Sequence, residues 1–268
     1  MDALSVEAIR AGLDTRFVGQ NVVYLPETGS TNDEARRLAE EGASEGTLLI
    51  ADHQTAGRGR LTRRWEAPPG CCLLMSLLFR PDLAPNQVQR LTMICGLALA
   101  DAIASETGLV VGLKWPNDVL LDGAKVAGIL TEVGLTASRV DYVVAGIGLN
   151  VNLDRARLPA DLLVPATSLS QVLGQPVPRL PLLRAFLHAV ERRYLMLKGG
   201  HSPHAEWAER LVTLGKPVTV SGGGTVLDGI AQGVDADGAL VVRLADGRLE
   251  TVRAGDVSLR SQSGTPRA

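Results

Sequence analysis

The stretch VVGLKWPNDVLLDGAKVAGILTEVGLTASRVDYVVAGIGLNV, Val110 to Val151, decides the fold class. It holds four strand-like runs in succession: Val110–Trp115, Val119–Leu121, Val126–Val133 and Tyr142–Val151. Asp122-Gly123, between the second and third, is the kind of dipeptide that accepts positive φ at both centres of a tight hairpin turn. Parallel neighbours need a crossover of a dozen or more residues, and these connections are shorter. The expectation is an α+β fold with a mixed, largely antiparallel sheet rather than a doubly wound parallel one.

Outward from this block, Asn21 to Leu25 reads as a strand that Pro26 ends. Thr31 with Glu34 forms a capping-box pattern opening a helix that carries Ala35, Leu38 and Ala39 and stops at Gly42. Thr47–Ala51 and Cys72–Phe79 are strands, and a long helix is expected from Asn86 to Thr107. One stripe of that helix, Val88, Leu91, Ile94, Leu97, Ala98 and Ala102, is apolar and packs on the sheet. Past the block, prolines become dense from Pro159 to Pro181 around a short helical piece, Ser168–Leu173, and helices follow at Leu182–Leu197 and Pro203–Leu214. From Lys216 the texture changes to β-runs separated by Gly and Asp: Val218–Ser221, Val226–Val234, Ala239–Leu244 and Leu249–Arg253. This predicts a domain over 1–214 and a small C-terminal β-barrel over 215–268, with Gly215 at the boundary.

With 268 residues, 46 % hydrophobic and 21 % charged, the chain has the composition of a globular protein with a sizeable core. A formal net charge of -2 gives no support to generic binding of nucleic acid or an anionic membrane. The first thirty residues lack the apolar run of a secretory signal, and no stretch reads as a membrane span. Cys71, Cys72 and Cys95 form neither a disulfide framework nor a metal-ligand pattern, so a reducing cytoplasm is the expected location.

Four constellations carry chemistry. Gln54-Thr55-Ala56-Gly57-Arg58-Gly59-Arg60, followed by Arg63, Arg64 and Trp65, combines glycines, which permit positive φ, with guanidiniums able to grip phosphate or carboxylate; a solvated basic loop is the plainer reading. Lys114-Trp115-Pro116-Asn117-Asp118 ends a strand, with Lys125 just past the hairpin turn. An ammonium near the core is costly unless an anion neutralises it, although Lys114 at a strand end could equally snorkel to solvent, and Asp118 could be its partner. Ser30-Thr31-Asn32 precedes a helix, where free N–H groups and hydroxyls suit a neutral polar ligand; helix capping explains one of the three without any ligand. Gly146-Ile147-Gly148-Leu149-Asn150-Val151-Asn152 closes a buried strand, and a bulge explains its Gly-x-Gly as well as a site does.

In order and spacing these motifs resemble the biotin protein ligases, as do Lys125-Val126-Ala127-Gly128-Ile129-Leu130-Thr131-Glu132 and the terminal Val257-Ser258-Leu259. The resemblance runs from about Asn21 to Arg260. It implies a class II synthetase-like catalytic fold with an Src-homology-3-like barrel. It further implies an enzyme that joins biotin to ATP as biotinyl-5'-adenylate and passes biotin to one lysine of a biotin carboxyl carrier protein. Carried over, Ser30, Thr31, Asn32 and Gln54 hold the ureido head of biotin. Arg58, Gly59 and Arg60 close over biotin and the acyl phosphate, and Lys114 meets the biotin carboxylate and the α-phosphate. Arg63, Lys125 and Asn150, with Arg58 and Arg60, face the nucleotide, and Lys114 and Arg60 are the catalytic pair. Mg²⁺ would arrive with ATP, without a protein metal cage.

The sequence departs from the family pattern in two places. Thr62 stands where the family loop usually has its last glycine, and a β-branched residue disfavours positive φ, which bears on Arg63. The residues before Asn21 are too few for the operator-binding helix-turn-helix of some members, so the monofunctional form, without DNA as a partner, is expected. Neither a membrane partner nor a dedicated metal site is expected, and a homodimer supported by an exposed sheet edge is an expectation that rests on the resemblance. The rival within the same fold is a lipoate or octanoate ligase or transferase, which wants an apolar slot rather than a ureido pocket. A non-catalytic RNA-binding module is the rival from another class, and 3 % aromatic content weakens it.

Overall fold

The computed structural model describes residues 4–61, 63–154, 165–222 and 225–259. Thr62 and most of the segment from Pro159 to Pro165 lie outside them.

Seven strands form the main sheet: β1 (Val22–Thr28), β2 (Leu48–Gln54), β3 (Cys72–Phe79), β4 (Gly112–Lys114), β5 (Asp118–Leu121), β6 (Ala124–Thr136) and β7 (Arg139–Asn150). Their order is β1-β2-β3-β7-β6-β5-β4. Only β1 and β2 run parallel, joined through helix α2 (Thr31–Glu40), so the sheet is mixed and largely antiparallel as the short connections require. Asp122 and Gly123 take φ of 50° and 79°, the doubly positive turn expected between β5 and β6. The β6–β7 hairpin uses the same geometry at Ala137 and Ser138, with φ of 49° and 66°, where no residue type announces it.

Pro26 does not end β1. The strand runs through it to Thr28, and register passes from Leu25↔Ala51 to Glu27↔His53. β1 is the edge of the sheet, where a residue without an N–H is tolerated.

Helix α3 (Gln89–Thr107) is buried on more than the predicted stripe: every residue from Leu91 to Ala100 is buried. The sheet covers one side and helix α5 (Arg179–Lys198) another, which is the setting of a helix apolar all round. With its preceding turn it spans 23 residues and contains an 18-residue window with a mean hydropathy of 1.3, long and apolar enough by length and composition to cross a bilayer, contrary to the sequence reading. Here it is the central helix of the core.

α1 (Val6–Arg10) and α4 (Leu169–Leu173) are single short turns. α6 (His204–Glu209) is shorter than the predicted Pro203–Leu214 because the chain beyond it pairs with β4. Leu113 N donates to Arg210 O at 2.8 Å, Val212 N to Leu113 O at 2.8 Å, and Trp115 N to Thr213 Oγ1 at 3.1 Å. This covers the β4 edge, while Pro26 interrupts the β1 edge. Strand pairing with a second copy through the main sheet is therefore obstructed at both ends.

The remaining strands, β8 (Pro217–Gly222), β9 (Thr225–Val234), β10 (Leu240–Arg243), β11 (Leu249–Val252) and β12 (Asp256–Leu259), make an antiparallel sheet ordered β11-β10-β9-β8-β12. It is fastened to the larger layer by Trp115, 1 % exposed, whose Nε1 donates to Gly238 O at 2.9 Å, and by Arg90, whose Nη2 lies 2.7 Å from Asp237 Oδ1.

The N-terminal segment is held by one carboxylate on α5. Glu191, buried, accepts from the N–H groups of Arg16, Phe17 and Val18 at 2.7, 2.8 and 3.0 Å. Burial alone would raise its pKa, but the three donors outweigh burial and hold the carboxyl below its ordinary value. A lowered folded-state pKa contributes stability that is present above the unfolded value of about 4.3 and lost as pH falls through the folded value. Glu191→Gln should cost about 1.5–3 kcal/mol at neutral pH. Urea unfolding should also show the variant losing less additional stability than wild type on acidification. Equal midpoints at neutral pH would remove Glu191 from this role.

Candidate functional site

The start of α2, the ends of β2, β4 and β5, one face of β6 and β7, and the basic loop after β2 enclose a cavity of about 630 Å³. Ser30, Thr31, Asn32, Gln54, Arg58, Gly59, Arg60, Arg63, Lys114, Lys125 and Asn150 all line it. The sequence motifs thus converge on one place.

The cavity's floor is bare backbone. Along β7, alternate residues Gly146, Gly148 and Asn150 share one face. A Cβ on Gly146 would lie 2.1 Å from Asn32 Oδ1, and one on Gly148 2.4 Å from the Trp65 ring. Gly128 on β6, opposite Gly148, faces Lys125 and Trp65 in the same way. The Gly-x-Gly is therefore not a bulge: β7 pairs β3 in unbroken register from Cys72↔Asn150 to Phe79↔Val143.

At one end lies Ser30-Thr31-Asn32, with exposures of 4, 3 and 4 %. The predicted capping box is absent. Ser30 occupies the N-cap position, and its side chain makes no capping bond; Glu34 turns to Arg37. Thr31 instead donates from both N (2.7 Å) and Oγ1 (3.0 Å) to Gln54 Oε1. Asn32 Nδ2 donates to Glu132 Oε2 at 2.6 Å. These residues are joined to one another through their side chains rather than spent on the helix end.

The basic loop is a small hairpin. Trp65 N donates to Gly57 O at 3.0 Å, Gly59 N to Arg63 O at 2.7 Å, and Arg58 bridges Arg64. Its glycines do not supply positive φ as expected; Leu61 does, at 52°. Gly57 is needed for close approach, since a Cβ there would meet Trp65 O at 2.4 Å. The arginines already hold carboxylates. Arg58 lies 2.7 Å from Asp33 and 3.3 Å from Glu132, Arg63 pairs with Asp256, and Arg60 lies 3.8 Å from Asp256 while donating to Gly255 O at 3.1 Å. Burial lowers the Arg60 pKa from its ordinary value despite Asp256 and Asp118.

Lys114 stands apart. Asp118 lies opposite it across β4 and β5, yet the Asp118 carboxylate is turned to Lys125 Nζ at 2.6 Å. Among the described residues Lys114 has no carboxylate within ion-pair distance. It is partly buried and lines the cavity. An ammonium held in a half-buried place without a carboxylate is costly, and an anion would offset that cost. Asn150 is pinned: its Nδ2 donates to Thr167 O at 3.0 Å.

Two contributors were given no role by the motif reading, although Trp65 stood within its first constellation. Trp65 lies over Gly148 with Lys125 Nζ 5.5 Å from its ring centre, and its Nε1 is buried without a partner among the described residues. Its position just after an arginine-rich loop was the available signal. Ser76, in the middle of apolar β3, contacts Thr31 and Asn32, and one polar residue inside a buried strand was the signal there. Among the described residues, no cluster of three or more His, Cys, Asp or Glu could hold a metal ion.

Residues 24–150 match the biotin/lipoate A/B protein ligase family, and residues 213–260 match the biotin protein ligase C terminal domain. The chain is 38 % identical over 241 residues to a biotin–[acetyl-CoA-carboxylase] ligase of Mycobacterium tuberculosis, covering 87 % of this chain and 86 % of that one. It is 36 % identical over 258 residues to the bifunctional ligase/repressor BirA of Bacillus spizizenii, covering 96 % of this chain and 79 % of the relative. The structure of the Aquifex aeolicus biotin protein ligase in complex with biotin and ATP superposes with a TM-score of 0.77 at 31 % identity, over 90 % of this chain and 99 % of that one. With two matching family models and relatives more than 30 % identical over most of both chains, the chain belongs to the biotin protein ligase family.

Proposed function

We propose that this chain is a cytoplasmic enzyme that activates biotin with ATP and transfers it to a lysine of a biotin carboxyl carrier protein. The observation that carries the reading is the polarity of the cavity: neutral hydrogen-bonding groups of Ser30, Thr31 and Gln54 at one end, and Lys114, Arg60 and Arg63 elsewhere on its wall. A ligand with a neutral polar head and an anionic tail satisfies both. Lipoate or octanoate would leave the polar end facing hydrocarbon, which costs free energy for every group left unpaired.

In the first step a carboxylate oxygen of biotin attacks the α-phosphorus of ATP. A P–O bond forms, the bond to the leaving oxygen breaks, and pyrophosphate departs. Lys114 neutralises the carboxylate and the charge that builds on the α-phosphoryl oxygens, and Arg60 covers the resulting mixed anhydride. In the second step a carrier lysine, as the free amine, attacks the acyl carbon, the proton leaves the nitrogen and AMP departs. No side chain of this protein forms a covalent intermediate. Mg²⁺ enters as part of the substrate MgATP. We assign residues 1–214 to the catalytic unit and 215–268 to a second unit, whose Gly255 and Asp256 hold Arg60 and Arg63.

Biotin-dependent exchange of pyrophosphate into ATP tests the proposal, with lipoate as the control acid. Exchange with lipoate but not biotin would overturn it. Lys114→Ala should lower that exchange about 100-fold or more while the melting transition stays in place, because a preorganised charge is removed from the developing oxyanion. Near wild-type exchange by the folded variant would free Lys114 of the role.

Arg60→Gly should separate making the adenylate from keeping it. Lys114 remains, so exchange persists, but one guanidinium contact and its tether to the second sheet are gone. The adenylate should dissociate about ten-fold faster. Escaped adenylate would then label bystander proteins. A wild-type off-rate with strictly carrier-directed labelling would show that Arg60 does not guard the intermediate.

A further inference from the structure

Two side chains behind the polar end decide which of its atoms donate and which accept. Ser76 is fully buried on β3 and does not line the cavity. Its Oγ lies 2.8 Å from Thr31 Oγ1 and 2.6 Å from Asn32 Oδ1, so one proton serves two acceptors. On the other side, Asn32 Nδ2 donates to Glu132 Oε2 at 2.6 Å and to Leu130 O at 3.2 Å. A carboxylate and a carbonyl only accept, so they fix the nitrogen of the Asn32 amide on their side and its oxygen on the Ser76 side.

The order passes on to Thr31. Its hydroxyl faces the Ser76 donor and sends its own proton to Gln54 Oε1, at 3.0 Å. Thr31 Oγ1 therefore keeps a lone pair for a ligand, and Gln54, whose oxygen also takes Thr31 N–H, keeps the two donors of Nε2. An acceptor beside a donor matches a cyclic urea, whose ring N–H groups donate and whose carbonyl accepts. A cyclic guanidinium of the same shape only donates.

We infer that Ser76 and Glu132 are positioning residues that hold this donor–acceptor order, and through it make the site prefer a cyclic urea to its guanidinium counterpart. The inference rests on the biotin reading and adds to it two residues that touch no ligand. Removing Ser76 lets the Thr31 hydroxyl rotate. Replacing the Glu132 carboxylate by an amide lets the Asn32 amide turn over.

The test is calorimetric titration of wild type, Ser76→Ala, Ser76→Thr and Glu132→Gln with biotin and with 2-iminobiotin, the ring guanidinium analogue, at neutral pH. Pyrophosphate exchange at saturating biotin accompanies it. Ser76→Ala and Glu132→Gln should each weaken biotin binding about ten-fold while the rate at saturation stays within about two-fold. The preference for biotin over 2-iminobiotin should narrow in both. Ser76→Thr, which keeps the hydroxyl, should restore it. Asp33→Asn is the control for Arg58, which Glu132 also holds, and should leave the preference intact.

Equal weakening of both ligands in Ser76→Ala and Glu132→Gln would reduce these residues to structural supports and overturn the inference, as would unchanged binding. If Ser76→Ala does not fold, Glu132→Gln, at a partly exposed residue, decides the matter alone. A wild type that ignores biotin would overturn the biotin reading itself, whereas an active wild type with an unmoved preference in the variants overturns this inference only.

Discussion

The strip of unsubstituted backbone at Gly146, Gly148 and Gly128 is the constraint from which the rest of the site follows. A sheet face ordinarily buries alternate side chains against whatever covers it, and here that role would fill the cavity. Without Cβ atoms, the carboxamide of Asn32 and the indole of Trp65 sit directly on the strands. Close approach then draws the start of α2 and the loop after β2 onto the same face, which is why motifs far apart in the chain become neighbours. Any side chain at Gly146 would strike Asn32 and break the row of polar contacts from Glu132 to Gln54.

Above that floor, charge is arranged unevenly. Arg58 and Arg63 spend their charge on Asp33 and Asp256, and Arg60 sits beside Asp256 and the Gly255 carbonyl. Asp118, the nearest carboxylate to Lys114 in strand register, is committed to Lys125. Of these cations Lys114 alone is left uncompensated among the described residues. The loop thus holds its shape through internal pairs, whereas the strand-end lysine has no carboxylate at ion-pair distance among the described residues.

Much of this was legible in the residues themselves. Apolar runs joined by short turns required antiparallel pairing, and Asp122-Gly123 marked its hairpin because few other dipeptides accept two positive φ values. The motif residues also converged as expected. What sequence could not convey depended on partners distant in the chain. Pro26 was tolerated because nothing pairs on its far side, and α6 stopped early because β4 takes the backbone beyond it. Gly57 reads like a loop hinge, but it is a spacer for the Trp65 carbonyl. Ser76 looks like an interruption in a core strand until Thr31 and Asn32 arrive over it. Helix capping was a sound default for Ser30-Thr31-Asn32, and it lost because Gln54 supplied the Thr31 groups with an alternative partner.

The tie between the loop and β12 places part of the cavity wall under the control of the second sheet. Arg60 donates to the Gly255 carbonyl and Arg63 pairs with Asp256. Asp256 opens β12, which lies at the edge of its sheet and pairs with β8 alone. A substitution that loosens that pairing therefore slackens the basic loop as well, although no residue of the main sheet has changed.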